Sequence, residues 1–480
     1  MDLSHVIKRQ AFICGEWRDA ATGATFDVLN PSTAEKIADV PDMGARETAE
    51  AIDGAVSAFQ AWREKTGKER SAVLRLWYEL IMAEQEALAR LLTMEQGKPL
   101  AEARGEIAYG ASFIEWFAEE AKRAYGETIP GHLRDKRLMT IKQPVGVAAA
   151  ITPWNFPNAM ITRKAGAALA AGCAMVVKPA EQTPLSALAL AALGEKAGLT
   201  PGVFSVITGD AAKIGGKLMS SSLVRKISFT GSTQVGRLLM RQSAETVKKV
   251  SLELGGNAPF IVLDDADVEK AASAAILCKF RNAGQTCVCA NRIYVQSSVY
   301  DEFVAILTAL TSELSVGDGL SEGVQIGPLI DDDAVKKVQS HLDDALNNGA
   351  VATTGGKLHA LGERFFEPTV LANATQSMRI AREETFGPLA PVIEFDTDAD
   401  VVAMANETEF GLAAYLFAND LSRVFRTAEA IEAGMIGINT GIISTEVAPF
   451  GGVKQSGLGR EGGRQGIEDY LETKYLCLDV

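Results

Sequence analysis

Three residues in unusual surroundings have the clearest capacity for chemistry. Cys287 lies in Arg281-Asn282-Ala283-Gly284-Gln285-Thr286-Cys287-Val288-Cys289, a run of small and polar residues suited to an accessible thiol. Glu253 precedes two glycines in Glu253-Leu254-Gly255-Gly256-Asn257, and Asn155 stands between prolines in Thr152-Pro153-Trp154-Asn155-Phe156-Pro157, where the two rings fix the local backbone. Each has a plainer reading alone: Cys287 as an inert buried thiol, Glu253 as a paired structural carboxylate, Asn155 as a turn residue bonding its own backbone. Together they suit one set of steps. An aldehyde carbon is a poor hydride donor until a thiolate adds to it, forming a tetrahedral thiohemiacetal with an oxyanion. An Asn amide and a backbone N–H can hold that oxygen, and a glutamate can activate water against the thioester left once hydride departs.

Two further segments carry groups that fit a nucleotide. Lys178-Pro179-Ala180-Glu181 places a cation and an anion where they can bracket a ribose diol, or form a solvated surface pair. Thr230-Gly231-Ser232-Thr233-Gln234-Val235-Gly236 is a glycine turn leading into a helix N-terminus, where free N–H groups favour a phosphate. It departs from GxGxxG, and an ordinary Ser-capped helix is the alternative.

These segments share a position. Strands are expected at residues 145–151, 174–177, 203–207, 226–229 and 250–252, with helices beginning near Pro157, Pro184, Ala211 and Ser232. Such alternation implies βαβ units and a parallel sheet covered on both faces, and ligands bind outside the carboxyl ends of such strands. Each segment follows one of the strands or the next helix. A second α/β block is expected from a strand at 259–263 and a helix at 267–282 through 293–295 toward residue 440, with the boundary near Gly255-Gly256-Asn257. Residues 46–125 are mostly helical by the spacing of Ile52, Val56, Phe59 and Trp62, residues 138–143 look extended, and the Gly-rich tail 450–463 reads as a long loop.

Composition bounds the rest. The chain has 480 residues, 47% apolar and 22% charged, so disordered, collagen-like and disulfide-stapled classes fail. Its 61 acidic against 47 basic residues argue against nucleic acid or an anionic membrane as a general partner. The longest charge-free apolar stretch, 165–177, is too short to span a bilayer. The first ten residues, MDLSHVIKRQ, lack the apolar core of a secretory signal, and six cysteines are too few for a disulfide framework, so a cytoplasmic location is expected. No metal site is expected.

The chain resembles the aldehyde dehydrogenase superfamily over essentially its whole length. The matching motifs are Pro153-Trp154-Asn155-Phe156-Pro157, Phe229-Thr230-Gly231-Ser232-Thr233, Leu252-Glu253-Leu254-Gly255-Gly256-Asn257, Gly284-Gln285-Thr286-Cys287, Glu383-Glu384-Thr385-Phe386-Gly387-Pro388 and Pro449-Phe450-Gly451-Gly452. The resemblance implies an α/β fold with two Rossmann-like parallel-sheet domains, one for the cofactor and one catalytic, plus a small β oligomerisation element. It implies an NAD(P)-binding domain from residues 1–125 and 145–252 with a five-stranded sheet, a catalytic domain from 253–449, and an oligomerisation element and tail from 126–144 and 450–480. It makes Cys287 the nucleophile, Glu253 the general base, and Asn155 with the Cys287 N–H the oxyanion hole. Trp154, Lys178, Glu181, Gly231, Ser232, Leu254, Glu384 and Phe386 fall on positions that contact NAD or NADP, and a homodimer or homotetramer is implied.

Within the superfamily the chain looks like the succinate-semialdehyde dehydrogenase branch, on Ser112-Phe113-Ile114-Glu115-Trp116-Phe117, Ile161-Thr162-Arg163-Lys164-Ala165-Gly166, the segment 280–292 and Gly441-Ile442-Ile443-Ser444. That implies oxidation of succinate semialdehyde in 4-aminobutyrate degradation, with Arg163, Arg281 and Ser444 holding the substrate carboxylate, a role suited to guanidinium forks. Glutarate semialdehyde is the nearest rival substrate; a CoA-acylating enzyme or a catalytically silent binding protein on this scaffold are more distant readings. Glu181 would bond a 2′-hydroxyl and repel a 2′-phosphate, which points to NAD. Cys289, one residue beyond Val288, is a candidate redox partner of Cys287 or an inert second thiol.

Overall fold

The short apolar runs of the first half form adjacent parallel strands. The structure is a computed structural model that describes residues 2–362 and 364–480. Its first sheet runs in the order Lys249–Glu253, Val224–Thr230, Val147–Ile151, Ala174–Lys178 and Phe204–Val206, every neighbouring pair parallel. These strands read as continuous apolar segments because helices cover both faces. Four connecting helices begin where sequence pattern places them: Ala159–Ala171, Pro184–Lys196, Ala211–Ser220 and Thr233–Ser243. The five parallel strands are the centre of eight. Gly457–Leu458 extends one edge antiparallel to Lys249–Glu253, and Ala11–Ile13 with Glu16–Arg18 extends the other. The tail at 450–463 is therefore partly a sheet element.

The second sheet has the order Val351–Thr354, Thr369–Ala372, Leu389–Phe395, Ala290–Gln296, Ala258–Val262, Ala413–Phe417, Met435–Ile438, parallel except for its first strand. A third, antiparallel sheet joins Leu471–Asp479 to Lys136–Pro144 and Thr128–Ile129, so the extended segment near residue 140 pairs with the C-terminus. Thr25–Leu29 and Lys36–Pro41 form a separate antiparallel pair.

The helical section resolves into Ala45–Arg63, Gly67–Ala83, Gln85–Gln96 and Leu100–Glu120. Trp62 and Trp77 are buried, and their indole N–H groups donate to the carbonyls of Leu169 and Leu190 at 3.0 and 3.1 Å. Those bonds remove the desolvation penalty that an unpaired indole would carry, and tie the first two helices to the helices over the first sheet. Helix Ala159–Ala171 is buried along its full length. Its two cations, Arg163 and Lys164, therefore require partners from other elements.

Candidate functional site

The parallel register brings the polar ends of the strands to one edge. Ile151 lies opposite Lys178 and Phe229, and Thr230 lies opposite Glu253, so the segments after residues 151, 178, 230 and 253 leave the sheet side by side. Cys287 reaches this edge from the other sheet, on the link between helix Val268–Phe280 and strand Ala290–Gln296. Three successive residues of that link, Asn282, Ala283 and Gly284, have φ of 53°, 54° and 75°. A helix cannot continue through left-handed backbone, so the chain turns sharply and presents Cys287. Gly256 packs beneath it: a β-carbon there would lie 2.4 Å from the Cys287 carbonyl oxygen, which only glycine avoids.

Two cavities meet at Cys287. One, of about 260 Å³, is walled by Arg163, Arg281, Ser444, Tyr109 and Phe450. The other, of about 210 Å³, is walled by Trp154, Asn155, Gly231, Ser232, Leu254, Lys337, Glu384 and Phe386. Phe156, Met160 and Cys287 belong to both walls. The three residues expected to hold a carboxylate thus share one chamber, and six of the eight expected to hold a cofactor share the other.

In the second chamber Trp154 and Phe386 meet edge to face at 5.7 Å. Ser232 caps helix Thr233–Ser243 by accepting from the Val235 N–H at 3.3 Å, while the Gly231 N–H is spent on the Glu253 carbonyl at 3.0 Å. Glu384 accepts from the Gly256 N–H at 2.9 Å, and burial pushes its carboxyl up to about 7. Lys337, on helix Asp332–Asn347, lines this chamber and carries no sequence signal, since its neighbours form an ordinary polar helix face. Lys178 and Glu181 lie outside the walls of both chambers. They pair at 2.6 Å, and the same Glu181 oxygen accepts from the Ala211 N–H at 3.1 Å.

Asn155 is buried, and its Nδ2 donates to the Gln285 carbonyl at 3.1 Å, two residues before Cys287. One amide hydrogen remains for a ligand. The backbone N–H of Cys287 donates to no described residue. Burial pushes the Cys287 thiol up to about 12, against the pull of nearby Arg163. Glu253 is buried at the end of its strand, in neither chamber wall, and its Oε2 has no hydrogen-bond partner among the described residues. Desolvation, with the neighbouring Glu461 carboxylate, holds its carboxyl well above the usual range.

Arg163 is not free for a ligand alone. It is fully buried, pairs with Glu461, and its guanidinium lies 4.4 Å from the Phe450 ring. Its Nη1 and Nη2 make no hydrogen bond to a described residue. Glu461 also pairs with Lys164, and both cations hold its carboxyl below the ordinary value despite burial. Nothing local in the sequence marks Glu461, because its partners come from a distant helix. Arg281 stacks 5.4 Å from the Phe156 ring and makes no ion pair with a described residue. The Cys289 thiol is buried and donates to the Gly284 carbonyl at 3.3 Å, with Lys279 Nζ at 3.7 Å; Cys287 and Cys289 are both free thiols.

The profile described as the aldehyde dehydrogenase family matches residues 17–476. The chain is 63% identical to the succinate-semialdehyde dehydrogenase (NADP(+)) GabD of Escherichia coli over 477 residues, covering 99% of each chain. It is equally 63% identical to a glutarate-semialdehyde dehydrogenase of Pseudomonas putida, with the same coverage. Among solved structures, an NADP-dependent enzyme of Escherichia coli superposes with a TM-score of 0.99 at 63% identity, over 99% of both chains. The chain belongs to the aldehyde dehydrogenase family.

Proposed function

We propose that this enzyme oxidises succinate semialdehyde to succinate with a nicotinamide cofactor, as a step in 4-aminobutyrate degradation. The observation that carries the proposal is the position of Cys287, whose side chain belongs at once to the wall holding Arg163, Arg281 and Ser444 and to the wall holding Trp154, Ser232, Glu384 and Phe386. A short aldehyde with a carboxylate at its far end fits the first chamber, with the carboxylate on Arg281 and on the Nη atoms of Arg163, which bond no described residue. The names of the related proteins support the substrate class.

The second chamber fits a nicotinamide nucleotide, with aromatic and aliphatic walls for a flat ring and a capped helix N-terminus for phosphate. When bound, that group supplies a hydride acceptor. We assign residues 1–125 and 145–252 to its domain, 253–449 to the catalytic domain, and 126–144 with 450–480 to an oligomerisation element. Cys287, once its thiol proton has passed to solvent, attacks the carbonyl carbon through Sγ, and the resulting oxyanion is met by the free amide hydrogen of Asn155 and by the Cys287 N–H. Loss of hydride leaves a thioester on Cys287. Glu253 takes the proton from the attacking water, for which its carboxyl must turn from its buried site towards Cys287 and ionise. Trp154, Gly231, Ser232, Leu254, Glu384 and Phe386 hold the cofactor near Cys287, while Lys178 and Glu181 meet its ribose, with NAD preferred.

The deciding experiment is a panel of aldehydes with both cofactors, including uncharged aldehydes of matched length, followed by reduced-nicotinamide absorbance. Preference for carboxylated aldehydes and loss of all turnover in Cys287→Ala are expected; an active Cys287→Ala enzyme, or no preference for a carboxylate, contradicts the reading. The equal identity to a glutarate-semialdehyde dehydrogenase favours that substrate as the second candidate. One methylene changes discrimination by only about 10- to 200-fold, so kcat/KM for the two semialdehydes ranks them.

Three subsidiary proposals accompany this one. Leu471–Asp479, at the edge of the three-stranded sheet, offers unpaired strand groups to another copy, giving a homodimer or homotetramer that light scattering would measure. The six cysteines are free thiols, as suits a reducing compartment, and we assign the enzyme to the cytoplasm. Cys289 would form a disulfide with Cys287 only by leaving its Gly284 and Lys279 contacts. Slow peroxide inactivation, reversed by dithiothreitol and absent in Cys289→Ala, is expected; inactivation unchanged in Cys289→Ala removes the assignment.

A further inference from the structure

Behind Asn155 lies a buried ionic cluster that the chemistry above does not use. Lys98, just ahead of helix Leu100–Glu120, has a fully buried side chain. Its Nζ donates to Glu106 Oε2 at 2.6 Å and to the Asn155 carbonyl at 2.7 Å, and lies 3.7 Å from the Phe156 ring centre. The second oxygen of Glu106 accepts from the Asn158 and Ala159 N–H groups at 2.9 and 3.3 Å. It thereby caps helix Ala159–Ala171, which has no side-chain cap of its own.

One turn earlier, Glu102 Oε2 accepts from the Asn282 N–H at 2.8 Å. The Asn282 amide then donates to the Asn155 carbonyl at 3.1 Å and to the Gln285 carbonyl at 3.2 Å, the atom to which Asn155 Nδ2 also donates. Two side chains, Lys98 and Asn282, thus share the Asn155 carbonyl, one anchored by Glu106 and the other by Glu102. Burying an ammonium costs desolvation that an aliphatic side chain in this space would avoid, and the bonds to Glu106 and to the Asn155 carbonyl offset that cost.

We propose that Lys98, held by Glu106, is a positioning residue that sets the Asn155 amide against Cys287, with Glu102 and Asn282 fixing the Cys287 side of the same joint. The inference rests on the reading of Asn155 and Cys287 as oxyanion donor and nucleophile. A lost positioning bond moves the amide without removing it, so the damage falls on steps that develop an oxyanion. It spares steps that do not.

The test uses the full-length enzyme and compares aldehyde oxidation with alkylation of Cys287 by iodoacetamide, a displacement at carbon that forms no oxyanion. In Lys98→Met, kcat is expected to fall about 10²-fold for carboxylated and uncharged aldehydes alike, with KM for the cofactor and the alkylation rate held within about twofold. Introduced into Asn155→Ala, the same change should cost less than about threefold more, because both act through one amide. Glu106→Gln, which keeps a hydrogen-bonding side chain, should show the same pattern more weakly and provides the test if Lys98→Met does not fold. Parallel loss of alkylation and oxidation, or fully additive effects with Asn155→Ala, would overturn the proposal. Full activity of Cys287→Ala or Asn155→Ala would instead remove the reading beneath it, so the two failures are distinguishable.

Discussion

Arg163 pairs with Glu461 of the C-terminal tail inside the protein, while its Nη1 and Nη2 atoms make no hydrogen bond to a described residue. The tail therefore contributes to the chamber twice, through Phe450 in its wall and through Glu461 behind Arg163. Glu461 also neutralises Lys164, so one carboxylate serves two cations on the same helix. Removing one partner of a buried pair leaves an uncompensated charge, which costs more than the pair itself contributes.

Glu461→Gln should accordingly lower stability by about 3–5 kcal/mol. The contrast is Arg75, which pairs with Glu115 at 2.6 Å on the surface, where both side chains are more than a third exposed. Arg75→Ala should cost no more than about 1 kcal/mol. Urea unfolding of both variants checks the difference, and equal costs would mean that the Glu461 cluster is screened by water.

Arg281 permits a cleaner test of carboxylate recognition than Arg163. It lines the same chamber but forms no ion pair with a described residue. Arg281→Met should reduce kcat/KM for carboxylated aldehydes by about 10- to 100-fold, the worth of a charged hydrogen bond. Uncharged aldehydes of equal length and the unfolding midpoint should change little. A uniform loss across both aldehyde classes would assign Arg281 a structural role.

The thiol makes a prediction about pH. Burial pushes Cys287 up to about 12, so without cofactor it is protonated at neutral pH, and its thiolate fraction lies below that of a free cysteine. Alkylation by iodoacetamide should rise about tenfold per pH unit between pH 7 and 9, without a plateau. A plateau below pH 8 would show that a neighbouring group, with Arg163 the nearest candidate, lowers the thiol further than burial raises it.

Much of this site was legible because buried parallel strands are written as continuous apolar runs. The runs ending near residues 151, 177, 229 and 252 by their pattern alone place the following polar segments on one edge, and the strands extend through Lys178, Thr230 and Glu253 themselves. Ala11–Ile13 and Glu16–Arg18 are illegible because three residues are too few for a periodic pattern, and they become strands by pairing, the first with Phe204–Val206 and the second with the first. Lys98 and Glu106 were hidden differently. Charges at the start of an amphipathic helix read as solvated, and only tertiary packing against Asn155 and Asn158 reveals them as buried. The same holds for Glu461, whose burial depends on a helix from the first half of the chain.

Stability should also respond to pH through Glu95. Its carboxylate oxygens accept from the Leu185 and Ser186 N–H groups at 2.8 Å each, yet complete burial raises it to about 7. The folded state thus binds more protons than the unfolded chain between about pH 4.5 and 7, so this group's contribution is present below pH 4.5 and declines as pH rises through 7. The slope of unfolding free energy against pH in that window should be less negative in Glu95→Gln. Equal slopes would place the ionisation of Glu95 outside the window.

The proposed contact of Glu181 with the cofactor ribose makes a prediction about cofactor choice, because Glu181 is already engaged. One of its oxygens holds both Lys178 Nζ and the Ala211 N–H, and Asp210 caps the same helix by accepting from the Lys213 N–H at 2.8 Å. A 2′-hydroxyl can donate to Glu181 with this arrangement intact. A 2′-phosphate would meet two carboxylates, and the nearby Lys178 is already neutralised. Like charges so placed cost enough that kcat/KM with NAD should exceed that with NADP by at least about tenfold. Glu181→Ser frees Lys178 for the phosphate and should narrow or reverse the ratio. The Escherichia coli relative carries NADP(+) in its name, so the measurement discriminates sharply: equal or better turnover of the unmodified enzyme with NADP would mean that Glu181 moves aside when the dinucleotide binds.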